Sequence, residues 1–381
     1  MHDDPRLQQI ALARQSVLAG GGELTALLAS AWYDRAWILQ SWRRCLAQGR
    51  RPDEEVVFGP VPANAARHAE QAQTRLVAAA RSELDRLGAL LAPIRYFAVL
   101  VDAQGIVVAT GGAVDHGEPH THAIARVGVD LSEASIGTSA IGAALAERVP
   151  VWLHRGEHFF RHTSVYSCAG APLFGPGGEC LGMLDVTGVD VPERPELKHL
   201  VAQSAQRIEQ ALLLARPHQL RLHLAWPPAF GVGGGDDAQG LLCLDGEGQV
   251  VGSNRAARDM LPALQVPAAA APHAGDLFAV PWQSLFDLAQ QGEARLLPLW
   301  SGLRLRVAAQ RANAEGAPGA APARSLKALE TELIHQAVRD AGGRVDVAAR
   351  ALGLSRATLY RRLAPQRGTG AAGTREPGGG G

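Results

Sequence analysis

Ser167-Cys-Ala-Gly-Ala-Pro-Leu-Phe174, a glycine-rich turn at Gly175–Gly178, and Glu179-Cys-Leu-Gly-Met-Leu-Asp-Val-Thr187 read as the two strands of one hairpin. Upstream, Tyr96-Phe-Ala-Val-Leu-Val-Asp102 is a short apolar run bounded by Pro93 and Gly105, as a buried strand is. Asp102-Ala-Gln-Gly105 is turn chemistry, and Ile106–Thr110 is the return strand. A helix with small residues on one face is expected over Gly137–Glu147, a strand over Val149–His154, and a closing helix over Pro195–Ala215. Strands mixed with helices around one sheet predict an α+β domain.

Outward from this core, residues 1–90 read as helical. Trp37, Ile38, Ser41, Trp42, Cys45 and Leu46 keep helical spacing, and one long helix is expected over Pro62–Leu91. After the core, Gly240–Asn254 reads as strand, Asp-Gly turn and strand, followed by a helical Arg255–Leu261. One or two further strands fall within Leu296–Ala308. Residues 312–324 form an Ala/Pro/Gly linker, and the tail at 367–381 is glycine-rich and expected to be disordered.

Between linker and tail lie three short helices. Leu326–Ala341 is amphipathic, with Ser325 placed to cap it and Gly342-Gly343 to end it. Val345–Leu352 follows, Gly353 suits the turn, and Ser355 caps a third helix, Arg356–Leu363. Leu359 and Leu363 face inward, leaving Arg356, Thr358, Tyr360, Arg361 and Arg362 on other faces. Arg324–Arg367 holds nine Lys/Arg against four Asp/Glu, whereas the remainder of the chain holds 28 against 33. The basic charge is therefore concentrated on this helical segment, which makes double-stranded DNA its expected partner.

The segment resembles the Fis-type helix-turn-helix found at the C-terminus of many bacterial enhancer-binding regulators. The resemblance implies DNA contacts at Arg344, Ser355, Arg356, Thr358, Tyr360, Arg361 and Arg362, and binding as a homodimer to inverted half-sites about 34 Å apart. Arg344 departs from the family, which often has Asn there. Ser-Ile-Gly-Thr-Ser-Ala-Ile-Gly-Ala-Ala-Leu-Ala (Ser135–Ala146), Glu157-His158-Phe159, Cys168–Pro172 and Leu184–Gly188 are similar, in order and separation, to the motifs of a GAF domain, with Ser139 where Asn is usual. That resemblance implies a pocket beneath the sheet for a small-molecule effector, or a purely structural dimer platform. Candidate ligand residues are Thr138, Ser139, Ile141, His158, Tyr166, Cys168 and Asp185. Ser41–Cys45 resembles a segment found before the sensor domain of acetoin-catabolism-type regulators. The strand-turn-strand at 240–254 resembles the start of a PAS-type domain; a small β-rich spacer is the alternative.

Several other residues suggest chemistry of their own beside simpler roles. His154, His158 and His162 would share a helix face and could bind a metal, but the segment begins in a strand. His116, His120 and His122 cluster in a predicted loop. Cys168 could serve as a redox nucleophile given a resolving thiol or an activating base nearby, with Cys180 on the paired strand as the candidate thiol; core packing is the simpler role. Gly231–Asp237 lacks the Gly-Lys-Ser/Thr ending of a phosphate loop and reads as a linker. No cofactor and no metal are expected.

The fold expectation is thus an α+β GAF sensor domain (91–216) after an N-terminal helical region (1–90), a linker with a degenerate PAS-like β-rich segment (217–311), and an all-α Fis-type helix-turn-helix (325–366). Composition is globular, 47% hydrophobic and 19% charged, with no long apolar run and four cysteines without paired spacing. A cytoplasmic protein that does not enter the membrane is expected. The relatives' ATP-hydrolysing AAA+ module has no room between sensor and DNA reader, and its phosphate-loop motif does not occur. The reading is a sequence-specific transcriptional regulator, not an enzyme, with RNA polymerase as a further candidate partner. The alternatives are a GAF-type thiol redox enzyme with a DNA tether, or an architectural DNA-bending protein.

Overall fold

Seven consecutive buried residues, Tyr96–Asp102, form β1, an inner strand of a five-stranded antiparallel sheet. A computed structural model of the chain describes residues 5–18, 36–59, 61–227, 240–265 and 272–312, with Val345 alone beyond them. The expected helix-turn-helix, the 313–324 linker, Gly231–Asp237 and the tail otherwise lie outside the described residues. The sheet runs β2-β1-β5-β4-β3, where β2 is Val107–Gly111, β3 Val151–His154, β4 Tyr166–Phe174 and β5 Cys180–Val189.

Both faces of this sheet are covered, which is why β1 is apolar at every position but its last rather than alternating. One face carries Ala98, Leu100, Ala171, Leu173, Leu184 and Val186. It packs on two antiparallel helices, Thr74–Leu91 and Leu197–Leu214. The other face carries Phe97, Val99, Val101, Tyr166, Met183 and Val189. It is roofed by the short helices Pro119–Ile124, Glu133–Ile136 and Ala140–Glu147, and by the N-terminal helices Pro5–Leu18 and Trp37–Ala47. In chain order these helices are α1 (Pro5–Leu18), α2 (Trp37–Ala47), α3 (Ala63–Ala72), α4 (Thr74–Leu91), α5 (Pro119–Ile124), α6 (Glu133–Ile136), α7 (Ala140–Glu147) and α8 (Leu197–Leu214). Each fully buried Leu or Phe contributes about 1.5–3 kcal/mol.

Glu83 on α4 is buried between the helices. Its carboxylate accepts from Arg86 (2.5 Å) and from Arg207 of α8 (3.2 Å). Burial works against its charge, but the Arg86, Ser204 and Arg207 contacts hold its carboxyl below the usual range.

Several local readings shift. The single helix expected over Pro62–Leu91 is two, α3 and α4, interrupted at Gln73, where the Thr74 hydroxyl donates to the Gln71 carbonyl. The histidine loop after Gly112 contains helix α5, because Glu118 caps it through His120 N (3.1 Å) and Thr121 N, with Pro119 in its first turn. The 154–162 stretch is strand, one 3-10 turn and loop, so its three histidines share no helix face.

A second five-stranded antiparallel sheet occupies 220–311. Its order is β8-β7-β6-β10-β9, with β6 Leu220–Ala225, β7 Gly240–Leu244, β8 Val250–Ser253, β9 Arg295–Pro298 and β10 Arg304–Arg311. The sequence reading assigns no strand to 220–225, yet Leu220, Leu222 and Leu224 are buried while the residues between them are half-exposed, and this alternation makes β6 the central strand. Helices Arg255–Met260 (α9), Ala274–Leu277 (α10) and Gln283–Gln291 (α11) cover its leucine face. The sheet docks on the end of α8 and on the β4–β5 turn: Ser253 N donates to the Pro176 carbonyl (3.0 Å) and Arg216 to that of Val251 (2.7 Å). Strand β6 pairs with the last strand, Leu220 opposite Arg311, and Ala312 N donates to the Gln219 carbonyl (3.0 Å).

Gly88 shows how closely α4 approaches the sheet. A Cβ there would lie 2.7 Å from the backbone Cα and N of Gly112. In an open helix Gly→Ala stabilises by about 1 kcal/mol. Here Gly88→Ala is expected to destabilise by about 2 kcal/mol, since backbone must move. The urea midpoint reads this out; an unchanged or higher midpoint would contradict the close approach.

Candidate functional site

Alternation along β4 and β5 brings a set of polar side chains to the sheet face beneath α5–α7. Cys168 lies opposite Thr187, and Gly170 opposite Asp185, whose other neighbour is Val99 of β1. The Thr187 hydroxyl reaches both Cys168 Sγ (3.3 Å) and Asp185 Oδ2. His158 enters from the loop after β3, its Nε2 3.6 Å from Cys168 Sγ. Tyr166 packs beside it, donating its hydroxyl to the His120 carbonyl (2.9 Å), and the His120 ring stands against His162.

The protons can be assigned. His158 Nδ1 is 2.9 Å from the Arg155 carbonyl, which can only accept, so Nδ1 carries the hydrogen. Burial pushes the His158 pKa down to about 4, so the ring is neutral and Nε2 offers a lone pair to the Cys168 thiol. Burial, and then the Asp185 charge, raise the Cys168 thiol well above its ordinary value, so it stays protonated. Asp185 is 1% exposed, its Oδ1 has no partner among the described residues, and burial raises its pKa to about 7, opposed by the Thr187 hydroxyl. A protonated Asp185 completes a directed chain: carboxyl to Thr187, Thr187 to Cys168, thiol to His158. An ionised Asp185 draws the Thr187 proton to itself and takes it from Cys168.

The candidate residues divide between this cluster and other work. His158, Tyr166, Cys168 and Asp185 come together in it. Ile141 is buried in the apolar core of the same face. Ser139 caps α7, accepting from Gly142 N (3.1 Å), as the more usual Asn also could. Thr138 faces away, toward α2: Ser41 donates to Glu133 (2.7 Å), so the Thr138 hydroxyl donates to Ser41 (2.6 Å). Arg44 grips the same Glu133 carboxylate with Nε (2.6 Å) and Nη2 (2.8 Å). Thr187 was not among the candidates, although its place two residues after Asp185 puts it on the same strand face. Arg344, Ser355, Arg356, Thr358, Tyr360, Arg361 and Arg362 lie outside the described residues.

Cys180 does not approach Cys168. It pairs with Phe174, seven residues along β5 from Thr187, the partner of Cys168. That is about 23 Å at strand rise. Among the described residues no three His, Cys, Asp or Glu side chains converge as a metal set would. Nor is any helix of the described residues long and apolar enough to cross a membrane.

Comparison with known proteins agrees with the geometry. Residues 75–212 match the GAF domain family, and residues 325–364 match the family described as bacterial regulatory protein, Fis family. The acetoin catabolism regulatory protein of Cupriavidus necator is 32% identical over 245 residues, covering 62% of this chain and 36% of that protein. The acetoin dehydrogenase operon transcriptional activator AcoR of Bacillus subtilis is 25% identical over 187 residues, covering 47% of this chain and 29% of that one. The chain thus spans about a third of the length of these curated relatives. Among solved structures, the E. coli DhaR(N)-DhaL complex aligns at 14% identity and a TM-score of 0.41, covering 71% of this chain and 98% of that one. The chain carries a GAF domain and a Fis-type helix-turn-helix and is homologous to acetoin-catabolism regulators.

The buried carboxyl sets a pH dependence. Asp185 titrates near 7 in the folded chain against an ordinary 3.8. Between these values the folded state holds a proton that the unfolded state has lost, so stability falls as pH rises through this window and levels off above it. The full difference is on the order of a few kcal/mol. Asp185→Asn is therefore expected to match the parent near pH 4 and to exceed it at pH 8, by urea unfolding across that range. Parallel curves for the two proteins would contradict the assignment.

Proposed function

We propose that the chain is a cytoplasmic bacterial transcriptional regulator that binds DNA as a homodimer, its GAF domain holding a small-molecule effector. The observation that carries the reading is the Fis-family match at 325–364 on the same chain as a GAF domain. Arg356, Thr358, Arg361 and Arg362 would meet base edges and phosphates, with Arg344, Ser355 and Tyr360 beside them. Between the two domains the described chain is the β6–β10 sheet and its helices. A large α/β ATPase finds no place there, so the regulator would act through occupancy of DNA and contact with RNA polymerase rather than through ATP hydrolysis.

The polar cluster suggests the kind of effector. Among the described residues Asp185 Oδ1 lacks a donor, and no cation offsets the burial of that carboxyl. An anionic ligand would meet no counter-charge, whereas a small neutral molecule with a hydroxyl donor would satisfy the open oxygen. A hydroxyketone such as acetoin, which gives both of these relatives their names, has that chemistry. The thiol-enzyme alternative finds a base in His158 Nε2, 3.6 Å from Cys168 Sγ, but burial holds the thiol protonated and Cys180 is a strand-length away.

Two measurements test this. Arg356→Ala and Arg361→Ala should each weaken binding to a genomic site by about tenfold or more, with relaxed base preference for whichever reads a base. Unchanged affinity and preference would remove the recognition helix from the argument. Calorimetric titration should detect acetoin or a short diol but not acetate or pyruvate, and Asp185→Leu should abolish the signal. Equal binding by the Leu variant, or binding of the carboxylates alone, would overturn the effector reading.

A further inference from the structure

The loop that carries His158 is held from outside by the N-terminal helices. Arg14 of α1 donates Nη1 to the carbonyls of Gly156 (2.8 Å) and His158, and Nη2 to that of Phe159 (2.7 Å). Trp42 of α2 donates Nε1 to the Glu157 carbonyl (2.9 Å), and the Arg14 guanidinium lies 5.4 Å from the centre of the Trp42 ring. Two side chains therefore engage every carbonyl from 156 to 159. A Cβ at Gly156 would meet Ile10 Cγ2 at 3.1 Å, so glycine lets α1 come this close. Just beyond, Arg161 N donates to the Pro52 carbonyl (2.9 Å), and Arg50 stacks 4.7 Å from the centre of the Phe160 ring.

An arginine bound in this way senses backbone shape. Burial, and then the charge of Arg161, push the Arg14 pKa down to about 10. What offsets that burial is three carbonyl oxygens, and they converge on one planar fork only in this loop conformation. From inside, the His158 ring is fixed by Cys168. The loop thus presents His158 to the polar cluster on one side and its four carbonyls to the N-terminal helices on the other.

We infer that Arg14 and Trp42 are positioning residues for the polar cluster, and that a change at His158 is transmitted through the 156–159 carbonyls to helix α1. The inference rests on the effector reading only for its natural cue; the linkage itself is a property of the loop. Coupling between two sites is reciprocal, so disturbing either end should be felt at the other.

Hydrogen–deuterium exchange on the full chain tests it without a ligand. Cys168→Phe, which crowds His158 from within, should speed exchange across residues 5–18 at least tenfold. Ala169→Val, on the opposite sheet face, should leave that segment unchanged. Arg14→Lys keeps the charge but not the fork, and should speed exchange at 157–162. Should Cys168→Phe fail to fold, Thr187→Val removes the hydroxyl behind the thiol at nearly constant volume and is read the same way. Loosening of 156–162 with residues 5–18 unaffected would overturn the inference, as would full protection of the loop in Arg14→Lys. A site that binds no small molecule would still show the coupling, so the two readings fail separately.

Discussion

A carboxyl group at the centre of a sheet covered on both faces is the constraint around which the GAF domain is arranged. The pleat puts Asp185 and Thr187 on one face of β5 and Leu184 and Val186 on the other. A slip of one residue would exchange them and bury the carboxyl among the leucines of α4 and α8. Among the described residues no cation sits by to hold it ionised, so its neighbours must accommodate a proton instead. Thr187, Cys168 and a neutral His158 do so, each able to give one hydrogen and take another.

Everything else on that face supports the geometry at one remove. Helix α7, capped by Ser139, brings Ala140 over Gly170, whose missing side chain leaves room beside Met183. Helix α2 secures the entry to α7 through Ser41, Thr138, Arg44 and Glu133, and the same helix reaches the Glu157 carbonyl with Trp42. Helices α1 and α2 are thus an integral wall of the GAF domain.

How much of this could be read in advance depends on where the signal resides. The GAF motifs and the hairpin from Ser167 to Thr187 are side-chain patterns, and they placed the sheet and four members of the cluster. Thr187 was equally legible through its period of two with Asp185. So was the separation of Cys168 from Cys180: the turn at Gly175–Gly178 pairs Phe174 with Cys180 and leaves Cys168 far down the ladder. Strand β6 hid because six residues of Leu alternating with Arg, His and Ala are few beside a helix that ends just before them. The grip of Arg14 on the 156–159 loop was not legible at all. Its acceptors are main-chain carbonyls, which every residue has, and the nearest lies 142 positions away.

The pairing of Leu220 with Arg311 makes the β6–β10 sheet a closed excursion: the chain leaves α8 and returns beside it, its entry and exit joined by the Ala312–Gln219 hydrogen bond. Paired antiparallel residues are only about 5 Å apart. Topologically the second sheet is therefore a cassette. Changes of length within its loops would leave the strand end that leads onward anchored at the foot of α8, because that anchorage depends on the paired ends alone.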